Sequence, residues 1–400
     1  MPKVEREAVV VVTREFKRVE FSQTVARVVA LAATLFASSV VNSATLPPDS
    51  VDLMYHNYDG GGMKINGPSV LVRKSIGTQV SVTGHYYIDS ISAASVDVVA
   101  SGASEYEEER TETSGGIDFL YEKAILSAGY TNSSENDYEA NTAYFGVSQD
   151  FFGDLTSLSL GYARGWDEVG KRDQDRNTFE EVNRQNYKLG VTQVLTKNAI
   201  IGLDVDVITD EGKLENPYRT NRYIDGLGVL WQEERYPDTR TSTAFGLRGM
   251  YYLPYRASIK AEYRYFSDSW KINSHTYDLA YSHAFEENWI FEFSYRLYTQ
   301  EHAEFYSDLF AFENSQTHLG RDKELSSYNG TTMGIGVSYE IKQGVIPFVK
   351  RMQFSLLADY LDYRYDNFRD VTAEGNYAPG AEPLYQFDAW VTRTSLIVEF

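Results

Sequence analysis

The sequence predicts an all-β fold, a transmembrane antiparallel up-and-down β-barrel of about sixteen strands, with fourteen the nearest alternative count. Three observations carry that expectation: an apolar leader near the N-terminus, long segments in which polar and apolar residues alternate, and a composition both aromatic and polar. Of 400 residues, 31 are Tyr, 21 Phe and 5 Trp, yet the mean hydropathy is −0.39. No apolar run beyond the N-terminus reaches the roughly 18 residues a membrane helix needs. Aromatic girdles at two membrane interfaces, polar loops and a polar lumen account for both features together.

Residues 28–41 (VVALAATLFASSVV) form an apolar core preceded by Arg14, Lys17, Arg18 and Arg27 and followed by small residues. That order is the order of a secretory signal. Cleavage after Ala44, or after Ser43, divides the chain into a signal peptide at 1–44 and a barrel at 45–400. The leader is long and contains Glu5, Glu7, Glu15 and Glu20, which leaves the true start codon open. Without residues 1–44 the formal net charge moves from −20 to −22. An acidic chain of this kind is a poor ligand for nucleic acid, whose phosphates are bound by clustered Lys and Arg. The absence of cysteine excludes disulfides, thiolate catalysis, Cys-ligated metal centres and a lipobox anchor.

The alternation is clearest over 289–300, where Trp289, Phe291, Phe293, Tyr295 and Leu297 oppose Glu292, Ser294, Arg296, Tyr298 and Gln300. One face suits lipid and the other water. Residues 256–266 repeat the pattern, with Ile259, Tyr263 and Tyr265 against Lys260, Glu262 and Arg264. So do residues 78–89, with Val80, Val82, Tyr86 and Ile88 against Ser81, Thr83, His85, Tyr87 and Asp89. A tilted membrane strand needs about 9 to 11 residues, which these segments supply. The sixteen strands are placed near 51–59, 68–75, 78–90, 109–121, 124–132, 138–150, 155–166, 184–195, 199–209, 239–252, 256–268, 273–285, 289–300, 331–341, 352–365 and 386–400. Short turns follow the even strands and longer loops most of the odd ones, the asymmetry of periplasmic turns and external loops. Asp362 falls on the lipid parity of its strand, which implies a bulge or the membrane boundary. Phe400 closes an amphipathic strand in phase with Leu396 and Val398, as an assembly signal for the barrel-assembly machinery would.

Several blocks resemble an uncharacterised Gram-negative family of outer-membrane barrels, domain-of-unknown-function family 3570. They are IDSISAASVDVV at 88–99, EEERTE at 107–112, SQDFFGDLT at 148–156, GYARGWD at 161–167, QVLTKN at 193–198, ITDEG at 208–212, NPYR at 216–219, LPYR at 253–256, YSDLF at 306–310 and RDKELS at 321–326. The resemblance spans nearly all of 45–400. It implies an outer-membrane barrel and brings no activity with it.

Predicted inward positions hold Lys188, Asp204, Asp206, Lys260, Glu262, Arg264, Asp278, Glu292, Arg296 and Asp359, the candidate lumen-lining residues. Sixteen strands enclose an aqueous lumen unless it is plugged. The leading expectation is therefore a passive pore or facilitated-uptake channel for small hydrophilic solutes, whose selectivity follows lumen charge. In the competing arrangement, Lys260, Glu262, Arg264, Glu292 and Arg296 neutralise one another across adjacent strands. A second function class is a non-conducting scaffold or sheath for a periplasmic or surface partner, such as a secreted redox protein. A third is an outer-membrane hydrolase, assembled from Asp89, Asp167, Asp210 and His302 at one rim. The six histidines show no recognised metal spacing. Residues 132–139 and 167–181 are dense in the oxygen ligands that calcium takes, without the EF-hand order, so loop calcium is the only cofactor considered. Outer-membrane lipid and lipopolysaccharide are the expected surroundings. The long loops 210–238 and 301–330 carry Tyr223, Trp231, Tyr306 and Phe310 and are candidates to fold inward as a constriction or lid.

Overall fold

A computed structural model describes residues 45–93, 106–172, 174–226, 228–342 and 346–400. The predicted signal peptide at 1–44 lies outside the described residues, as does the 94–99 part of one family block. Sixteen antiparallel strands close on themselves: β1 (Ser50–Gly60), β2 (Met63–Ile76), β3 (Val80–Ala93), β4 (Tyr106–Tyr121), β5 (Ala124–Ser134), β6 (Tyr138–Phe151), β7 (Thr156–Val169), β8 (Glu180–Thr196), β9 (Ala199–Gly212), β12 (Thr239–Leu253), β13 (Ala257–Asp268), β14 (Asn273–Phe285), β15 (Trp289–Gln300), β16 (Tyr328–Lys342), β17 (Arg351–Arg369) and β18 (Leu384–Glu399). A separate hairpin, β10 (Thr220–Asp225) with β11 (Gly228–Glu233), stands in the loop between β9 and β12.

Closure of β1 on β18, from Ser50 opposite Glu399 to Gly60 opposite Ala389, leaves no open sheet edge in the wall. That is the condition for strands to cross hydrocarbon, where an unpaired backbone group has no water to turn to. The pleat then sends alternate residues outward. Leu203, Phe245, Leu247, Leu279, Phe291, Phe293, Ile335, Phe354 and Leu356 are all exposed on the outer face, a surface that lipid covers and water would not tolerate. Outward ring pairs mark its two edges. Trp289 and Tyr339 lie 4.8 Å apart near the short-turn end, and Tyr360 and Trp390 lie 5.1 Å apart nearer the long-loop end. Asp362 comes just past Tyr360, keeps its outward parity and pairs with Arg364 at 2.9 Å. The register of β17 on β18 shifts only between Arg364 and Arg369. Of the two explanations for Asp362, a bulge at that residue is therefore excluded.

Two placements are corrected. The second strand was expected to begin near residue 68; it begins at Met63, because Gly61 and Gly62 turn the chain with φ of 59° and 78°. Positive φ at both central positions is the hairpin geometry that matches the right-handed twist of the flanking strands, and glycine adopts it without strain. The segment 210–238 was read as plain loop and contains the β10–β11 hairpin. Several strands also run past their predicted ends toward the long-loop side, β17 to Arg369 and β8 from Glu180.

Gly67 on β2 lies hard against the backbone of β3. A Cβ there would lie 1.8 Å from the Ile88 carbonyl oxygen, a clash with backbone that no rotamer relieves. Gly67→Ala should therefore cost about 1 to 3 kcal/mol or more. A smaller heat-modifiable fraction after refolding, read by gel mobility with and without boiling, checks this, and an unchanged fraction refutes it.

Candidate functional site

Cross-strand partners share a face, so the registers assign every wall residue to the inside or the outside. All ten predicted charges fall on the face opposite the apolar belt, and most meet a partner of opposite sign. Lys188 lies 3.9 Å from Asp206, and Asp206 lies 3.7 Å from Arg264. Lys260 contacts Glu262 at 2.8 Å along one strand. Arg296 donates Nε to Asp278 Oδ1 at 2.7 Å, where the register sets the two residues opposite each other. Glu292 accepts from Ser282 Oγ at 3.1 Å. Asp204 meets Arg248 at 3.4 Å, and Asp359 pairs with Arg393.

The pairing is thus not the closed ladder of Lys260, Glu262, Arg264, Glu292 and Arg296. Lys260 and Glu262 do meet, but Arg264 and Arg296 turn instead to aspartates on β9 and β14. Arg248 and Arg393 were missed as partners, although the same parity count along their strands would have found them.

Toward the long-loop end the inner face adds apolar residues to its charges. Tyr138, Val169 and Val182 on the inner face of β6, β7 and β8 form one buried cluster with Leu214, Tyr236, Trp270, Ile272, Phe305, Tyr306 and Leu325. Loop residues touching inward-facing wall residues mean that the loops enter the mouth. Tyr236, Trp270 and Phe305 pack as a triad with centroids 5.2 to 5.5 Å apart. Strand-like bonds tie the loops to one another: Phe310 N donates to Arg222 O at 2.9 Å, Ile224 N to Phe310 O at 3.0 Å, and Leu319 N to Arg235 O at 2.7 Å.

Asp308 is the polar hub of this cap. Its carboxylate accepts from Arg222, from Arg321 Nε at 3.1 Å and from the Arg369 backbone N at 3.1 Å. Arg222 also grips Glu382 through Nη2 at 3.0 Å, and Arg321 lies 4.5 Å over the Phe368 ring. One aspartate therefore joins the β9–β12, β15–β16 and β17–β18 connections. The loops expected to fold inward, 210–238 and 301–330, pack together here through Arg222 and Asp308, 86 positions apart, and Arg222 reaches Glu382 of the β17–β18 connection as well. Burial and the neighbouring Asp322 push the Glu234 carboxyl up to about 7. Burial alone would raise Glu382, but its hydrogen bonds from Arg222 outweigh this and hold it at about 2.

The four residues considered for hydrolysis are not assembled. Asp89 is buried against His56 at 2.8 Å, with Arg110 at 3.6 Å. Asp167 meets Arg184 at 2.7 Å, while Asp210 stands opposite Arg184 and Arg240 in the registers. His302 Nδ1 contacts Ser327 Oγ at 3.1 Å. Phe400 donates its backbone N to Asp49 O at 3.1 Å, and Lys74 lies 5.3 Å over its ring.

A closed wall with an apolar outer belt, a charged inner face and a folded cap in one mouth defines a transmembrane barrel of the outer-membrane type. The chain belongs to the family described as protein of unknown function (DUF3570), which matches residues 98–376. No curated relative matches it. Among solved structures it is similar to a bacterial polysaccharide outer membrane secretin, at 10% identity over 89% of this chain and 100% of that one, with a TM-score of 0.49. It is also similar to OccD3 (OpdP) of Pseudomonas aeruginosa, at 9% identity over 92% and 96% with a TM-score of 0.43. OmpT, an outer membrane protein of Vibrio cholerae, shares 11% identity over 90% and 100%, with a TM-score of 0.40.

Proposed function

We propose that the protein is a passive outer-membrane pore for small hydrophilic solutes, with the loop cap as its constriction and the inner charges as its selectivity element. The observation that supports this most is the exposure of the inner-face cations. Arg264, Arg296 and Arg393 keep 38%, 43% and 42% of their side-chain surface although each is ion-paired. A lumen packed with side chains would bury them; a wet one leaves them half-solvated. In this reading residues 1–44 are a cleaved signal peptide, the C-terminal Phe400 serves barrel assembly, and the outer belt meets lipid and lipopolysaccharide. Catalysis is no part of the proposal.

Planar-bilayer recording of the refolded protein tests it. Arg264→Gln together with Arg296→Gln leaves Asp278 without its cationic partner and Asp206 with Lys188 alone, so the permeability ratio of cation to anion should rise at least about twofold. Conductance with unchanged selectivity would remove the inner charges from the path. A folded, heat-modifiable barrel that never conducts would favour the second reading, a scaffold or sheath for a periplasmic or surface partner. The buried cluster across the long-loop mouth is the observation on that side.

A further inference from the structure

Glu108 near the long-loop end of β4, and Glu135 and Asp137 in the turn between β5 and β6, bring three buried carboxylates together. One oxygen from each lies within 4.8 Å of the others. The turn is held by Glu135 N donating to Tyr138 O at 2.8 Å, by Asn136 N donating to Glu108 at 3.2 Å and by Gly170 N donating to Asp137 O at 2.9 Å. Tyr218, from the loop that leads into the β10–β11 hairpin, donates its hydroxyl to Asp137 Oδ2 at 2.8 Å.

Among the described residues no Lys or Arg side chain forms an ion pair with Glu108 or Asp137. A second observation points to a ligand. Asp137 is 2% exposed, and its Oδ1 is buried without a hydrogen-bond partner, on a carboxylate grouped with two others. A buried anionic oxygen left bare is costly. Two further buried carboxylates beside it raise the cost, and a cation seated among the three removes it.

We propose that Glu108, Glu135 and Asp137 bind one calcium ion. The donors are all oxygen, which selects a hard cation, and calcium takes oxygens at about 2.3 to 2.6 Å. Two oxygens of a single calcium shell lie at most about twice that distance apart, so the observed spread fits one ion. Mg²⁺, with bonds of about 2.1 Å, demands a tighter octahedron. The ion staples β4 to the β5–β6 turn and, through Tyr218 on Asp137, to the loop that carries the cap hairpin. The site stands whether or not the barrel conducts.

The test uses refolded protein free of lipopolysaccharide and stripped with chelator. Tb³⁺ is the probe, since Tyr138 and Tyr218 lie within reach to sensitise its emission. Wild type should bind one Tb³⁺ that Ca²⁺ displaces at least ten times more effectively than Mg²⁺. Asp137→Asn should weaken Ca²⁺ binding at least tenfold. Glu108→Gln, which keeps an oxygen to accept from Asn136 N, serves if the first variant fails to fold. Folded variants that bind Ca²⁺ as wild type does, or wild type that binds none at millimolar Ca²⁺, overturn the site. Equal displacement by Mg²⁺ overturns the assignment to calcium.

Discussion

Asp308→Ala should release the loop cap while leaving the barrel wall closed. The carboxylate is nearly buried and offsets two guanidinium groups, Arg222 and Arg321, that are themselves only 3% and 4% exposed. Removing one partner of a buried pair costs about 3 to 5 kcal/mol, because the remaining charge stays in a poor solvent. Here two cations lose a partner, and the Arg369 backbone N loses its acceptor. Glu382 still holds Arg222, which keeps the loss toward the lower end of that range. The sixteen-strand ladder does not depend on Asp308, so opening is local. Limited proteolysis within 301–327 should accelerate by about 100-fold at 3 kcal/mol, with gel heat-modifiability unchanged. If the protein is a pore, single-channel conductance should rise in the same variant. Proteolysis at the wild-type rate would show that the aromatic cluster alone holds the cap.

Cap stability should peak near pH 4.5. The Glu234 carboxyl is pushed up from 4.5 to about 7 in the folded cap, by burial first and by Asp322 second. The folded state therefore binds the proton more tightly, and stability falls as pH rises from 4.5 through 7, by on the order of a few kcal/mol. Glu382 works the other way, since the bonds from Arg222 hold it at about 2. Its contribution is complete above pH 4.5 and is lost as pH falls toward 2. Urea midpoints followed by the emission of Trp231 and Trp270 should decline from pH 4.5 to 7.5 in wild type. They should be nearly flat over that interval in Glu234→Gln, which keeps the hydrogen bond from Arg321 N and carries no charge. A wild-type midpoint that rises with pH would rule out a proton on Glu234.

Strand order and facing were legible because they repeat. The period of two in 289–300, or in 78–89, names the lipid face without reference to any neighbour, and the run length matches the bilayer. The β10–β11 hairpin carried a local signal too, the Asp225-Gly226 pair between two alternating runs, but it was subsumed in a long loop. The Gly61–Gly62 turn was equally local. Nothing in the sequence ties Arg222 to Asp308 and Glu382, or Glu108 to Asp137, since those contacts depend on where loops land after the wall has closed.

The sequence by itself determined the barrel, a count of about sixteen strands and the sign of each face, since pleat and bilayer thickness act on a single strand at a time; closure at sixteen came from the structure. Only the tertiary structure decided which charges neutralise which, that three loops lock into one mouth, and that three carboxylates share a buried space. Those outcomes depend on register and on closure of the ring, and both are properties of all sixteen strands together.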